Sequence, residues 1–138
     1  MRLLLLTSLI LGICNSPIHK EKSLIIYLER TACFGTCPIY TIEIFNDGSG
    51  IYTGKRFVEK IGKIQFNVKK KDLENILKQA KKIGFNKFND TYTEPVTDLP
   101  TTFIQIKDKK IKDHSGSPKE LRELENSIDL IFKKSVAN

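Results

Sequence analysis

The sequence predicts an α+β fold, a two-layer sandwich in which an antiparallel sheet of about five to six strands carries two helices on one face. Segments rich in β-branched and aromatic residues are separated by turn signals, and two segments have apolar residues at helical spacing. The resulting order of elements is ββββαββα. Because the connections within each group of strands are short, we expect antiparallel pairing.

The first four strands are predicted from runs of β-forming residues. These runs are residues 23–30, 39–45, 51–53 and, with looser alternation, 56–68. The sequence Asn-Asp-Gly-Ser-Gly at 46–50 is a turn signal, so the second and third strands should form a hairpin. Gly62 interrupts the fourth run and is a candidate bulge position.

A helix and a second hairpin are predicted next. Residues 70–83 place apolar side chains on one helical face, and Gly84 is a natural C-terminal stop. The apolar face consists of Leu73, Ile76, Leu77, Ala80 and Ile83. Residues 101–107 then alternate as a strand, and a turn at 108–110 predicts a hairpin that ends near His114.

The last helix should begin at Ser117. Ser117 and Glu120 have the spacing of a capping box, and Pro118 falls at the first helical position. The predicted buried stripe consists of Leu121, Leu124, Ile128 and Ile131.

The N-terminus has the pattern of an export signal. Arg2 is the only charged residue before Lys20, and residues 3–13 are apolar or small. A basic start followed by about 7–15 apolar residues is typical of a secretory signal, whereas a membrane-spanning helix needs about 20. We therefore predict a signal peptide (1–14), a polar tether (15–22) and a single α+β domain (23–138).

The end of this signal resembles the lipobox of bacterial lipoproteins. Leu11 and Gly12 precede Cys14 as in that pattern, while Ile13 stands where a small residue is expected. The resemblance implies lipidation of Cys14 and a location in the periplasm or in the membrane-anchored cell envelope. Secretion after a different cleavage and an uncleaved anchor are the alternatives. Acyl chains anchor at about 0.8 kcal/mol per buried CH₂.

The charge of the chain is strongly basic, with a formal net charge of +7. Lysines cluster at residues 69–71, 81–82, 109–110 and 133–134. Export argues against a nucleic-acid partner. The clusters then indicate either attraction to anionic lipid headgroups or envelope polysaccharide, or a solvated surface.

Cys33 and Cys37 lie four positions apart, and export would place them in an oxidising compartment. Removing Cys14 from the three cysteines leaves this even pair. A disulfide would staple the loop between the first two strands, where Gly35 and Pro38 suit a reversal. A thiol–disulfide switch is the first alternative, favoured by the basic neighbour Arg30.

Copper is the second alternative for the cysteine pair. The spacing Cys-x-x-x-Cys-Pro is similar to the copper motif of the synthesis-of-cytochrome-oxidase proteins, which add a distant histidine. Here His114 could supply that ligand, and two thiolates with an imidazole suit Cu(I). Those proteins have a thioredoxin fold, which the predicted order of elements does not match.

Two motifs together resemble an uncharacterised bacterial family of exported proteins, domain of unknown function 6438. The first motif consists of Arg30, Cys33, Phe34, Gly35, Cys37, Pro38 and Tyr40, and the second of Asp98, Pro100, Thr101 and Thr102. The resemblance covers about residues 24–132. It implies the domain limits and draws attention to these residues, and it implies no activity, substrate or cofactor.

The second motif lies in a threonine-rich segment, residues 91–102. These hydroxyls and the Asp98 carboxylate could face a ligand, or they could satisfy local backbone donors in turns. We further hypothesise that Asp98 pairs with Arg30 and ties the two motifs together.

The chain contains no nucleophile elbow, phosphate-binding glycine loop, dinucleotide fingerprint or zinc-helix motif. The sequence therefore favours a non-catalytic envelope domain that binds an unknown envelope component or has a structural role, with a Cys33–Cys37 disulfide and no cofactor. A thiol-redox or Cu(I)-handling protein is the competing prediction.

Overall fold

The computed structural model describes residues 21–137 of the chain as a seven-stranded sheet with two helices. The strands are β1 (Leu24–Arg30), β2 (Ile39–Phe45), β3 (Ser49–Arg56), β4 (Gly62–Asn67), β5 (Thr91–Tyr92), β6 (Thr102–Ile106) and β7 (Lys109–Asp113). The helices are α1 (Lys70–Lys82), followed by a 3₁₀ turn at Phe85–Lys87, and α2 (Lys119–Val136). The predicted signal peptide with Cys14 and most of the tether lie outside the described residues.

The strands lie in the order β4-β3-β2-β1-β6-β7-β5. Both predicted hairpins are present, and every neighbouring pair is antiparallel except β5, which runs parallel to β7. The prediction of an antiparallel sheet of about five to six strands is therefore roughly right but not exact, because the sheet has seven strands and one parallel pair. The additional strand is only two residues long, and the backbone amide of His114 donates to the carbonyl of Tyr92 at 2.9 Å beside it.

Gly62 does not form the predicted bulge. β3 and β4 pair without a register shift, and Gly62 begins β4 with a φ of 93°. A register shift occurs instead between Ile39 and Tyr40, where β2 leaves the loop with the cysteines.

The hydrophobic core lies between one face of the sheet and both helices. Alternate residues of the central strands are buried, as the period of two of a β-strand requires. The fully buried sheet residues are Ile26, Leu28, Ile42, Ile44, Ile104 and Ile111. They join Leu73, Ile76, Leu121, Leu124 and Ile128 of the helices in one core cluster, which confirms the two-layer α+β arrangement.

The path of α2 decides which strand ends it covers. Its first turn lies beside β7, because the Ser117 hydroxyl donates to Asp113 at 2.6 Å. Near its C-terminus, the Phe132 ring stacks on Tyr52 of β3 at 4.2 Å and contacts Phe66 of β4 edge-on at 5.2 Å. The helix therefore crosses the sheet from β7 to β4.

The helices differ from the predictions at their ends. α1 stops where predicted, with Gly84 left-handed at a φ of 71°. The capping box of α2 is wrong, because the Ser117 hydroxyl bonds Asp113 and Pro118 is the residue that precedes the helix. Ile131 is only half-buried, whereas Phe132 is buried. Within the described part of the chain, neither helix combines the length and apolar character needed to cross a bilayer.

Candidate functional site

A row of polar residues crosses the sheet beneath α2. Tyr40 lies opposite Arg30, Arg30 opposite Thr102, and Thr102 opposite Asp113 on the neighbouring strands. All four are at the end of the sheet where β1 leads into residues 31–38, which we call the cystine loop. Three of them belong to the two sequence motifs, so the fold brings the motifs together.

Arg30 is the centre of this row. Its Nη1 donates to Thr102 Oγ1 at 2.7 Å and to Glu125 Oε2 at 3.1 Å, and its Nη2 donates to Asp129 Oδ2 at 2.8 Å. The Tyr40 hydroxyl donates to the other oxygen of Asp129 at 2.7 Å. Because Glu125 and Asp129 are four residues apart on α2, both carboxylates face the same arginine.

The charges in this network perturb one another. Burial opposes the charge of Arg30, but Asp129 and then Glu125 outweigh it and raise the pKa of the guanidinium. Burial raises the pKa of Tyr40, and the hydrogen bond to Asp129 raises it further, so the hydroxyl keeps its proton as a donor. Arg30 and Tyr40 therefore hold both oxygens of Asp129.

Glu125 is the most deeply buried member of the network. It is only 2% exposed, and its Oε1 has no hydrogen-bond partner among the described residues. Burial raises the pKa of Glu125 from 4.5 to about 7; Arg30 opposes this shift, whereas Asp113 and Asp129 add to it. A buried carboxylate without full hydrogen bonding is costly, so this group is poised to take up a proton.

The hypothesis that Asp98 pairs with Arg30 is wrong. Asp98 is exposed, with a φ of 74°, and accepts a hydrogen bond from the neighbouring Thr97 at 3.3 Å. The strand register places Thr102 opposite Arg30 instead. The motifs are joined by backbone as well, since Thr31 donates to the Thr101 carbonyl at 3.0 Å.

The predicted disulfide is present between Cys33 and Cys37, with a Cα–Cα distance of 5.7 Å. Both cysteines are half-buried, while Phe34, Gly35 and Pro38 are exposed. Phe34 is 91% exposed, which is unusual for a large aromatic side chain. The cystine loop therefore presents an apolar tip from a covalently closed turn.

His114 is not brought to the cysteines. Its Nδ1 lies 3.0 Å from Thr101 Oγ1, and its Nε2 lies 2.9 Å from the carbonyl oxygen of Val96. Among residues 21–137, no group of three or more histidine, cysteine or acidic residues is arranged to hold a metal ion. Cys33, Cys37 and His114, the ligands of the Cu(I) alternative, are therefore not arranged as a metal site. Instead, His114 contacts both Val96 and Thr101 and so holds the loop that contains them.

A cavity of about 580 Å³ adjoins the cystine loop. Pro38 and Tyr40 line one side, and Phe57 and Val58 of the β3–β4 connection line another. Phe57 is exposed and has a φ of 55°, an uncommon conformation for an aromatic residue. The exposed tip of Phe34 and this cavity both lie at the end of the sheet where β1 stops, which we call the cystine end.

The acidic side of the site was not predicted from the sequence. Glu125 lies between Leu121 and Ile128 at helical spacing, so its carboxylate interrupts the apolar stripe. That interruption was a detectable signal of a buried partner for a cation. Asp129 and Asp113 do not interrupt an apolar stripe in the sequence, so only the fold shows which residues pack against them.

The fold and site together define an α+β domain with a cystine loop braced by a partly buried arginine–carboxylate network. Residues 24–132 match the family described as Domain of unknown function (DUF6438). This match spans most of the chain, so the protein belongs to that family, as the two motifs predicted. No curated protein and no solved structure matches the chain.

Proposed function

We propose that this protein is an exported, non-catalytic binding domain of the cell envelope that recognises its partner through the cystine end. The observation that carries this proposal is Phe34, an aromatic side chain 91% exposed on a disulfide-closed loop. Large aromatic residues are frequent energetic centres of interfaces. An exposed one without a folding role suggests an interaction site.

The bracing of the loop supports the same function. The disulfide closes the turn, and Arg30 at its base is held by three hydrogen bonds to Thr102, Glu125 and Asp129. A loop restrained before binding loses less conformational entropy when it binds. The neighbouring cavity, with Val58 on its wall, adds a concave apolar surface beside the projecting Phe34.

We further propose that residues 1–14 direct export and that Cys14 carries the lipid anchor. The direction of β1 fits this arrangement. The chain enters the sheet at Leu24 and reaches the cystine loop after Arg30, about 20 Å away for a strand of this length. We call the end of the sheet at Leu24 the tether end. The cystine end then points away from the anchoring membrane, toward another envelope component.

Photo-crosslinking from the loop tip tests the binding function. The full-length chain is expressed in its own cells with p-benzoylphenylalanine in place of Phe34, and in a control in place of Asn126, which is exposed on α2. We expect a discrete crosslinked product from position 34 and none from position 126. The same products from both positions, or none from position 34, would contradict the proposal.

Export and lipidation need a separate measurement. We expect full-length protein in the membrane fraction with an acylated N-terminal cysteine by mass spectrometry, and release of the Cys14→Ser variant from that fraction. Protein recovered from the cytoplasm with Met1 attached would contradict both steps.

A thiol–disulfide function is the second candidate, supported by the exposed neighbours of the cystine, Phe34 and Pro38, which leave a reductant access to the loop. Its test is the redox state of Cys33 and Cys37 in cells, measured by alkylation before and after oxidative stress. A reversible change supports it, and a permanently oxidised pair supports a staple. The Cu(I) variant of this function would require His114 to leave both of its hydrogen bonds.

A further inference from the structure

A second, larger groove lies at the tether end. It has a volume of about 930 Å³ and separates the C-terminal end of α1 from the β6–β7 turn. Its floor is apolar and consists of Leu77, Ala80, Phe85 and Ile106. A groove of this size accommodates a small molecule or a short segment of a chain rather than a protein domain.

The rim of this groove is cationic. Its lysines are Lys78, Lys81, Lys87, Lys107 and Lys109, against the acidic residues Glu74 and Asp108. Lys109 is paired with Asp90. In the part of the chain that the structure describes, the other four ammonium groups form no ion pair. Their charges are therefore available to an anion.

The groove adjoins the point where the tether joins the domain. The backbone amide of Lys107 donates to the carbonyl of Ile25 at 2.9 Å, one residue after β1 begins. On the other side of β1, the Asn46 side chain donates to the carbonyl of Glu21 at 2.8 Å. A membrane attached through the N-terminus would thus be nearest to this end of the sheet.

We propose that this groove docks the domain on an anionic lipid bilayer, with a lipid phosphate between Lys81 and Lys107 and part of an acyl chain on the apolar floor. An anionic phospholipid joins a negative headgroup to an apolar chain, as the rim and floor require. A nucleic acid would instead favour a polar groove with aromatic stacking surfaces. The proposal rests on the proposed export and N-terminal tether for its orientation.

The test uses the chain from residue 15 onward, without lipid, so that only the domain can bind. Among the described residues 21–137, every helix, strand and core residue lies between Leu24 and Val136, so the chain from residue 15 retains all of these elements. Co-sedimentation is measured with vesicles of phosphatidylcholine alone and of equal parts phosphatidylcholine and phosphatidylglycerol. Lys81→Gln/Lys107→Gln is compared with the charge-matched control Lys63→Gln/Lys112→Gln, two exposed lysines on β4 and β7 that line neither cavity.

We expect binding to the anionic vesicles only. Each lysine near an anionic surface contributes about fivefold to binding, so the groove variant should bind about thirtyfold more weakly. The control variant should bind like the unmodified chain. Equal weakening of both variants would reveal diffuse charge attraction and overturn the proposal, as would no weakening in either.

Two further outcomes keep the proposal separate from others. If the groove variant loses affinity for a DNA duplex but keeps its affinity for vesicles, the groove takes nucleic acid and the proposal is wrong. Failure of export in cells would leave the vesicle result unchanged, because the purified chain needs no anchor. Circular dichroism confirms that each variant is folded before its binding is compared.

Discussion

Glu125 offers the sharpest test of the site, because its buried carboxyl should make stability depend on pH. Its pKa is raised by burial from 4.5 to about 7, and its Oε1 has no partner among the described residues. In the unfolded chain the same group titrates near 4.5. Between these two values the folded protein holds more protons than the unfolded one, so its stability falls as the pH rises.

The size of this effect follows from the shift in pKa. Each unit corresponds to 1.36 kcal/mol, so a rise from 4.5 to about 7 removes about 3 kcal/mol of stability. The stabilisation that comes from the protonated Glu125 carboxyl is fully present below the pKa of the unfolded chain, 4.5. It is lost as the pH rises through the pKa of the folded protein, about 7. Glu125→Gln keeps the shape of the protonated side chain and cannot ionise. It should therefore be more stable than the unmodified protein by about 3 kcal/mol at about pH 8, and nearly equal to it at about pH 4.

Urea unfolding at both pH values, with the disulfide intact, measures this difference. Glu123→Gln is the matched control, since Glu123 is exposed on the same helix and forms only a surface pair with Lys119. That variant should follow the pH dependence of the unmodified protein. The reasoning is refuted if Glu125→Gln also keeps that dependence, or if it is clearly less stable at high pH, since Arg30 would then stabilise the ionised carboxylate.

Three other predictions use the same unfolding assay. Arg30→Met should destabilise the protein by about 3–5 kcal/mol, because it leaves the buried Glu125 and the half-buried Asp129 without their cation, and a loss below 1 kcal/mol would show that the network is not stabilising. Replacing Cys33 and Cys37 together by serine should cost about 2 kcal/mol, the entropy of closing so short a loop, and an unchanged midpoint would contradict this. Gly54→Ala should cost about 1–3 kcal/mol, because a Cβ there overlaps the Lys60 carbonyl oxygen. Gly62→Ala is its control: a Cβ there meets no atom, so only its positive φ costs about 1 kcal/mol, and equal losses would refute the overlap.

The helices and most strands were predictable because their signals are local. The stripe through Leu73, Ile76 and Ala80 follows from helical geometry alone, and these residues are buried. The turn at 46–50 likewise joins β2 and β3 as expected. The short β5 escaped prediction, because two residues carry no periodicity and Thr91–Tyr92 is a strand only through its pairing with β7.

The site was predictable only in part. The motif residues Arg30, Tyr40 and Thr102 do share one row across the sheet. Whether their side chains lie on the same face depends on strand register, because a shift of one residue turns a strand's side chains to the opposite face. The hypothesis of an Asp98–Arg30 ion pair used the opposite charges of the two residues. It did not include the strand register, which places Thr102 opposite Arg30. The carboxylate partners Glu125 and Asp129 come from a helix about a hundred residues farther along the chain.

The sequence by itself determined the periodic elements, the α+β class, the family and the cysteine pair, because each depends on spacing along a continuous segment. Tertiary structure alone decided that Arg30 meets two carboxylates of α2, that one oxygen of Glu125 has no partner among residues 21–137, and that His114 faces Thr101 and Val96. These contacts join residues whose separation in sequence says nothing about their distance. They arise only when strand register and helix packing place distant side chains together.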